Sequence, residues 1–123
     1  MRRKVHDMGG LSPHGRFWLE KNGRPVFGDG RARLLKAIGE LGSIKAGATK
    51  LGMSYRHAWG HLNHMERRLG VKLLKRQTGG ARGGGSVLIP AARRLLAAYA
   101  AFRGRVDREL QGFWDAAASR RQD

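Results

Sequence analysis

The sequence predicts a mainly α-helical fold with small β elements, because apolar residues recur at helical spacing in four segments of the chain. The clearest segment is 43–70, where two helices are predicted on either side of a sharp turn at Gly52. Ser43 and Ser54 stand at the N-cap positions of the two helices. This pattern indicates a helix-turn-helix, although its spacing alone is equally typical of an ordinary pair of packed helices.

The second helix of this pair has one apolar and one basic face. The apolar stripe is predicted to pack on the core and consists of Tyr55, Ala58, Trp59, Leu62, Met65 and Leu69. The face left exposed carries Arg56, His57, Gly60, His61 and His64, followed by Arg67 and Arg68. Because these side chains are hydrogen-bond donors with almost no carboxylate among them, this face suits an anionic partner.

The charge of the chain indicates a polyanionic partner and favours the helix-turn-helix. The 123 residues include 25 Lys and Arg against 9 Asp and Glu, a net charge of +16, and 41% are apolar, which is enough for a core. Nucleic acid is the commonest polyanion, and a membrane surface is the competing one. No apolar run approaches the roughly 20 residues of a membrane-spanning helix. We therefore expect double-stranded DNA as the partner and no membrane contact.

Residue content disfavours several other kinds of site. The chain has no cysteine, which excludes disulfides, thiolate metal ligands and a cysteine nucleophile. Asp29, Glu66 and Asp107 form no local pair for acid–base catalysis, so we expect neither enzyme activity nor a cofactor. The basic start of the chain lacks the apolar segment of a signal peptide, which predicts a cytoplasmic protein.

The elements before the helix pair are a β-hairpin and a helix. Residues 1–15 are basic and without periodicity, which predicts a flexible arm before a domain over 16–89. The dipeptide Asn22-Gly23 predicts a hairpin turn, and Pro25 confines the second strand to an edge. Asp29 is predicted to cap a helix from about 30 to 41, which ends at Gly42.

A glycine-rich loop over 79–85 separates two short apolar segments, 71–74 and 87–89, which predict a β-ribbon. Neither the GxxxxGK[ST] nor the GxGxxG spacing is present, so nucleotide binding is disfavoured. A flexible linker is one alternative. The basic residues in and around the loop favour a DNA-contacting wing instead; they are Lys72, Lys75, Arg76 and Arg82.

The last element is a helix predicted over 90–118, with a short tail over 119–123. Pro90 suits its first turn, and apolar residues then recur three or four apart over some three heptads. At 1.5 Å per residue the helix is about 40 Å long, more than one side of a small domain can cover. We therefore expect a homodimer through Leu95, Tyr99, Phe102, Val106, Leu110 and Phe113.

Two motifs carry a resemblance to a known family. The run MSYRHAW over 53–59 and the run TGGARGGGSVL over 78–88 resemble the N-terminal domain of ModE-type molybdate-responsive regulators, which is similar to the LysR-type winged helix-turn-helix. The resemblance covers roughly 17–110. It implies a dimeric winged helix that exerts sequence-specific transcriptional control, often over genes of molybdenum or oxyanion metabolism. Because a two-fold dimer binds two half-sites, we expect the operator to be an imperfect palindrome.

The charge and the resemblance together give a set of expected DNA contacts. These are Ser43, Lys45, Ser54, Tyr55, Arg56, His57, His61, Arg76, Thr78 and Arg82. In the full-length family the molybdate sites lie in C-terminal β-barrels. No strand pattern for such a barrel follows residue 118, so no molybdate is expected to bind within this chain.

Two alternative functions stay open. His57, His61 and His64 stand at i, i+4 and i+7, a spacing at which imidazoles can converge on a metal ion in a metal-responsive sensor. Neither a cysteine nor a clear carboxylate completes that set of ligands, so we predict no metal site. The second alternative is a nonspecific architectural DNA-binding protein, which differs from a regulator only in sequence preference.

Overall fold

The computed structural model describes residues 10–77 and 85–119. In chain order its elements are β1 (Trp18–Lys21), β2 (Arg24–Gly28), α1 (Asp29–Leu41), α2 (Ile44–Lys50), α3 (Tyr55–Leu69), β3 (Leu74–Gln77), β4 (Gly85–Leu88) and α4 (Pro90–Ala118). This order confirms the predicted fold class, a winged helix-turn-helix with an N-terminal hairpin and a long C-terminal helix. Residues 17–99 form one compact unit, and residues 10–16 belong to a second unit with 100–119.

The N-terminal hairpin has the turn that its sequence predicts. Asn22 and Gly23 have φ values of 54° and 76°, as a type I′ turn requires. Strands β1 and β2 pair antiparallel, with an irregularity between Leu19 and Glu20. Pro25 lies in a two-stranded sheet, in which both strands are edge strands. Its missing N–H therefore costs no hydrogen bond to a further strand.

The start of α1 corrects two predictions. Asp29 is the first helical residue instead of the cap, and the N-cap is Gly28, which makes no side-chain capping bond. The hydroxyl of Tyr99 donates to Asp29 Oδ1 at 2.5 Å, and the Tyr99 ring meets Phe27 edge-on with centroids 5.2 Å apart. Tyr99 is only 4% exposed. It is therefore a core residue and not part of a dimer surface, because its buried hydroxyl needs the carboxylate.

The helix-turn-helix forms as predicted. Ser43 Oγ accepts from the N–H of Ala46 at 2.9 Å, and Ser54 Oγ accepts from the N–H of His57 at 3.0 Å. Gly52 has a φ of 71°, a left-handed conformation that only glycine adopts at low cost. Both N-cap hydroxyls are thus used by the fold, and the turn has the backbone that its glycine predicts.

The core lies among α1, α2, α3, the hairpin and the start of α4. Its largest fully buried side chains are Leu34, Leu35, Ile38, Met65 and Leu73. Ala58, Leu62 and Met65 of the predicted α3 stripe are buried, whereas Tyr55 is 45% exposed. The prediction that Tyr55 packs in the core was wrong, because it stands in the first turn of α3 beyond the reach of the core.

The wing consists of β3 and β4, which pair antiparallel from Leu74 opposite Leu88 to Gln77 opposite Gly85. Val71 was predicted to lie in the first strand, but it lies outside β3 and is exposed. Between Val71 and β3, the N–H of Leu73 donates to Glu66 Oε2 at 2.8 Å. At the other strand, Ser86 N–H donates to the carbonyl of Gly42, which ties the wing to the end of α1. The loop predictions at Thr78 and Arg82 lie outside the described residues.

The predicted dimer residues of α4 differ in exposure. Leu95 is half-buried and packs against the core of its own chain. Phe102 is 39% and Phe113 is 67% exposed, and Val106 and Leu110 are half-buried. Within 10–77 and 85–119, no helix is long and apolar enough to cross a membrane.

Candidate nucleic-acid interface

The outer face of α3 is the side turned away from the core. Four exposed residues follow one another on it at intervals of four, three and four positions; they are Arg56, Gly60, Asn63 and Arg67. We call these four residues the outer face of α3. Sequence reasoning missed Asn63, although the helical period counted from Arg56 leads directly to it. The face presents cationic and amide side chains on either side of a bare glycine.

The N-terminus of α3 adds a second feature that suits an anion. Tyr55, Arg56 and His57 form its first turn and are exposed. No acidic residue lies in this turn, and α3 is 15 residues long. The N–H groups and dipole of a helix N-terminus attract negative charge, and the Ser54 hydroxyl that caps it can still donate its own proton. Phosphate is the group that fits this end of the helix.

A stacked cluster connects α3 to the wing. Trp59 Nε1 donates to the hydroxyl of Tyr55 at 2.9 Å. The guanidinium of Arg76, from β3, lies over the Trp59 ring at 5.8 Å from its centroid, within cation–π range. The structure thus brings together the predicted contacts Tyr55 and Arg76. Trp59, which sequence reasoning assigned only to the core stripe, is the side chain that holds both.

His61 and His64 bond to α1 instead of facing solvent. Arg31 donates from Nε to His61 Nδ1 at 3.1 Å, and its Nη1 lies 2.8 Å from His64 Nδ1 and 2.8 Å from the carbonyl oxygen of Val26. Because a guanidinium can only donate, both Nδ1 atoms must accept, which requires neutral imidazoles. Burial, followed by the Arg31 charge, lowers the pKa of both histidines.

This cluster limits the groups that His61 can offer to a partner, because its Nδ1 atom is already used. Its ring is committed to Arg31 on one side and stacks on His57 on the other, with centroids 4.7 Å apart. His57 is exposed and keeps the predicted position near the helix N-terminus. The side of α3 that carries His61 and His64 faces α1, where the partly buried guanidinium of Arg31 bonds to both rings.

The same cluster opposes the metal-sensor alternative. A guanidinium cation occupies the space where His61 and His64 Nδ1 converge, and a cation there repels a metal ion. In the part of the chain that the structure describes, no group of three His, Cys, Asp or Glu side chains is arranged to hold a metal ion.

The other predicted contacts lie at the start of α2. Lys45 is exposed in its first turn. Ser43 is partly exposed and already serves as the N-cap, so its hydroxyl has only its own proton to offer a partner. Lys45 adds one exposed positive charge on α2, the helix that precedes α3.

An open cavity of about 730 Å³ lies beside the Arg31 cluster. Its walls are mostly apolar and include Trp18, Pro25, Phe27, Leu34, Leu51 and Met53. Four arginines also line it, namely Arg24, Arg31, Arg33 and Arg68. Of these, Arg31 is bonded to Val26, His61 and His64.

Comparison with known proteins assigns the domain. Residues 30–83 match the family of bacterial regulatory helix-turn-helix proteins of the lysR family. The chain is 41% identical over 95 residues to the molybdenum-pterin-binding protein MopB of Rhodobacter capsulatus, a match covering 77% of this chain and 35% of MopB. It is 46% identical over 69 residues to the transcriptional regulator ModE of Haemophilus influenzae, covering 56% of this chain and 27% of that protein. This chain carries a LysR-family helix-turn-helix domain of the ModE type.

A solved structure agrees with the fold of this domain. The crystal structure of the CbnR DBD in complex with DNA has a TM-score of 0.54 and 26% identity, and the match covers 73% of this chain and 95% of that one. The chain spans only 35% of the length of MopB and 27% of that of the Haemophilus ModE. The resemblance predicted from the two sequence motifs is confirmed.

Proposed function

We propose that this ModE-type domain binds double-stranded DNA and regulates transcription, with the outer face of α3 in the major groove. The observation that carries the proposal is the outer face itself, which exposes Arg56, Asn63 and Arg67 beside a helix N-terminus free of acidic residues. An α-helix fits the major groove, and its N-terminal residues meet the base edges. The names of the relatives and the CbnR complex with DNA support this function.

The individual contacts follow from the chemistry of each position. Ser54 and Tyr55 are assigned to phosphate at the N-terminus of α3, while Arg56 and His57 are assigned to base edges. Lys45 and Ser43 add phosphate contacts from α2. Arg76 is assigned to phosphate because the Trp59 ring holds its guanidinium beside α3. The wing contacts at Thr78 and Arg82 remain part of the proposal.

We further propose that the domain acts as a homodimer through α4. Phe113 and Phe102 expose large apolar rings on this helix, in line with the half-buried Val106 and Leu110. A second copy of the helix is the simplest cover for such a stripe. A two-fold dimer places two α3 helices on two half-sites, so the operator is an imperfect palindrome. The description of MopB as a molybdenum-pterin-binding protein supports target genes of molybdenum metabolism.

Selection from a library of random duplexes tests the function. We expect the protein to enrich one sequence with approximate two-fold symmetry and to bind it about a thousandfold more tightly than a scrambled duplex at physiological salt. Equal affinity for enriched and scrambled duplexes contradicts the regulator and supports the architectural alternative. Weak binding to both, with no salt dependence, contradicts DNA binding altogether.

A further inference from the structure

Gly60 is a residue that the fold itself does not require. It lies in the interior of α3, is exposed, and has an ordinary right-handed helical backbone. A Cβ atom added at Gly60 would meet no described atom within 4 Å. Glycine in a helix interior is less favourable than alanine, because its backbone loses more conformational entropy on folding. The folded domain therefore gains nothing from the absence of a side chain here.

Two other glycines of the helix-turn-helix show the contrast. A Cβ atom at Gly47 would lie 2.7 Å from Ile38 Cγ1 and 3.0 Å from Ile38 N, so close packing of α2 on α1 requires glycine there. Gly52 has a positive φ that the turn requires. Gly60 has neither reason, and it is the one member of the outer face of α3 that has no side chain.

We propose that Gly60 is the point at which α3 lies closest to the base-pair edges of the major groove. Arg56 lies four residues before Gly60 on the helix and Asn63 lies three residues after it. The two side chains therefore flank Gly60 on the same face, one on each side along the helix axis. The bare backbone between them leaves a gap in the outer face. Asn63 has a short side chain, so its amide reaches a base edge only if the helix axis comes close. A Cβ atom in the gap would hold the helix away from the groove floor.

This inference rests on the proposed function and adds the residue that sets how deeply α3 enters the groove. The charge of the surroundings agrees with an anionic occupant, because Arg56 and Arg67 lie on the same face and no carboxylate does. The proposal also makes Gly60 a determinant of specificity. When α3 lies close to the groove floor, Arg56 and Asn63 contact the bases only where the base edges match their side chains. When α3 is held away from the floor, both contacts are lost together.

Gly60→Ala and Gly60→Leu test the proposal, with Gly112→Ala as the matched control. Gly112 is also exposed in a helix interior with no described atom within 4 Å of an added Cβ, but it lies on α4. We expect both alanine variants to raise Tm by about 4 °C. Gly60→Ala should weaken binding to the duplex selected by the wild type by about tenfold, and Gly60→Leu by more. Gly112→Ala should bind within about twofold of the wild type.

A Gly60→Ala variant that gains stability and binds the selected duplex as the wild type does would overturn the role of Gly60. An equal loss on selected and scrambled duplexes would also overturn it, because the close contact would then be with the phosphates. A wild-type protein that prefers neither duplex contradicts the proposed function instead. Fluorescence anisotropy with both duplexes, measured on all four proteins, separates these outcomes.

Discussion

The guanidinium of Arg76 lies over the indole ring of Trp59, 5.8 Å from its centroid, and so joins strand β3 of the wing to α3. The same indole donates its N–H to Tyr55 at the start of α3. A side chain of α3 therefore positions a cation of the wing. This contact holds together α3 and the wing, the two elements that are proposed to bind DNA.

Replacing Arg76 should change the salt dependence of DNA binding. Each phosphate neutralised contributes about 0.9 to the slope of log affinity against log salt, so Arg76→Ala should reduce that slope by about one such step. Arg76→Lys is the matched control, since it keeps the charge and loses the planar stacking on Trp59. Its slope should stay as in the wild type while its affinity falls. An unchanged slope in Arg76→Ala would mean that Arg76 does not contact phosphate.

The Arg31 cluster should make the domain less stable in mild acid. The pKa values of His61 and His64 are lowered in the fold, so below the ordinary pKa of about 6.5 the unfolded chain binds more protons than the folded one. The free energy of unfolding is therefore highest above about pH 6.5, the ordinary pKa. It decreases as the pH falls from there through the lowered pKa values of the folded state. Urea unfolding between pH 8 and pH 5 measures this change.

His64→Gln supplies the comparison for the acid effect. The amide oxygen of glutamine can accept from Arg31 and does not titrate, so this variant should lose less stability on acidification than the wild type. His14→Gln is the control. His14 is exposed, and among the described residues its ring bonds only to the hydroxyl of Ser12. A wild type whose stability is flat from pH 8 to pH 5 would contradict the cluster.

Tyr99→Phe should destabilise the domain without changing its oligomeric state. The variant removes a buried hydroxyl that donates to the Asp29 carboxylate, at a cost of about 1–3 kcal/mol in the free energy of unfolding. Tyr55→Phe is the control, because the Tyr55 hydroxyl is at the surface and its loss should cost less than about 0.5 kcal/mol. If Tyr99→Phe instead split a dimer at unchanged stability, Tyr99 would be an interface residue after all.

Light scattering at micromolar concentration should report twice the chain mass for the wild type. Phe113→Glu places a charge on the most exposed large apolar residue among those described and should yield the single-chain mass. Ala101→Glu adds the same charge at an exposed position of α4 off the apolar stripe, and it should leave the mass unchanged. A monomeric wild type that still bound a two-fold operator would rule out the proposed dimer.

Local signals predicted most of this fold, whereas contacts between distant elements limited the prediction of the site. Ser43, Ser54, Gly52 and Asn22-Gly23 each act through backbone geometry within four residues, so the sequence alone predicted their roles. The bond between His61 and Arg31 was missed because the two residues lie 30 positions apart on different helices.

The same limit explains the two errors at the start of α1. Asp29 has the chemistry of a capping residue, and only the fold brings the Tyr99 hydroxyl to it over 70 residues. Tyr99 falls on the apolar stripe of α4, but helical spacing does not show which turns of that stripe pack on the chain's own core. Asn63 could have been found, since it lies seven residues after Arg56 on the same face.

The most direct test of base recognition by the outer face of α3 is the affinity of Arg56→Ala for the selected duplex and for each of its single-base variants. If Arg56 contacts a base edge, the variant should lose about 1–3 kcal/mol on the selected duplex and stop discriminating at one position of each half-site. Lys45→Ala, at a proposed phosphate contact, should lose affinity uniformly over the same duplexes. A loss in Arg56→Ala that is equal on every duplex would contradict base recognition by this face.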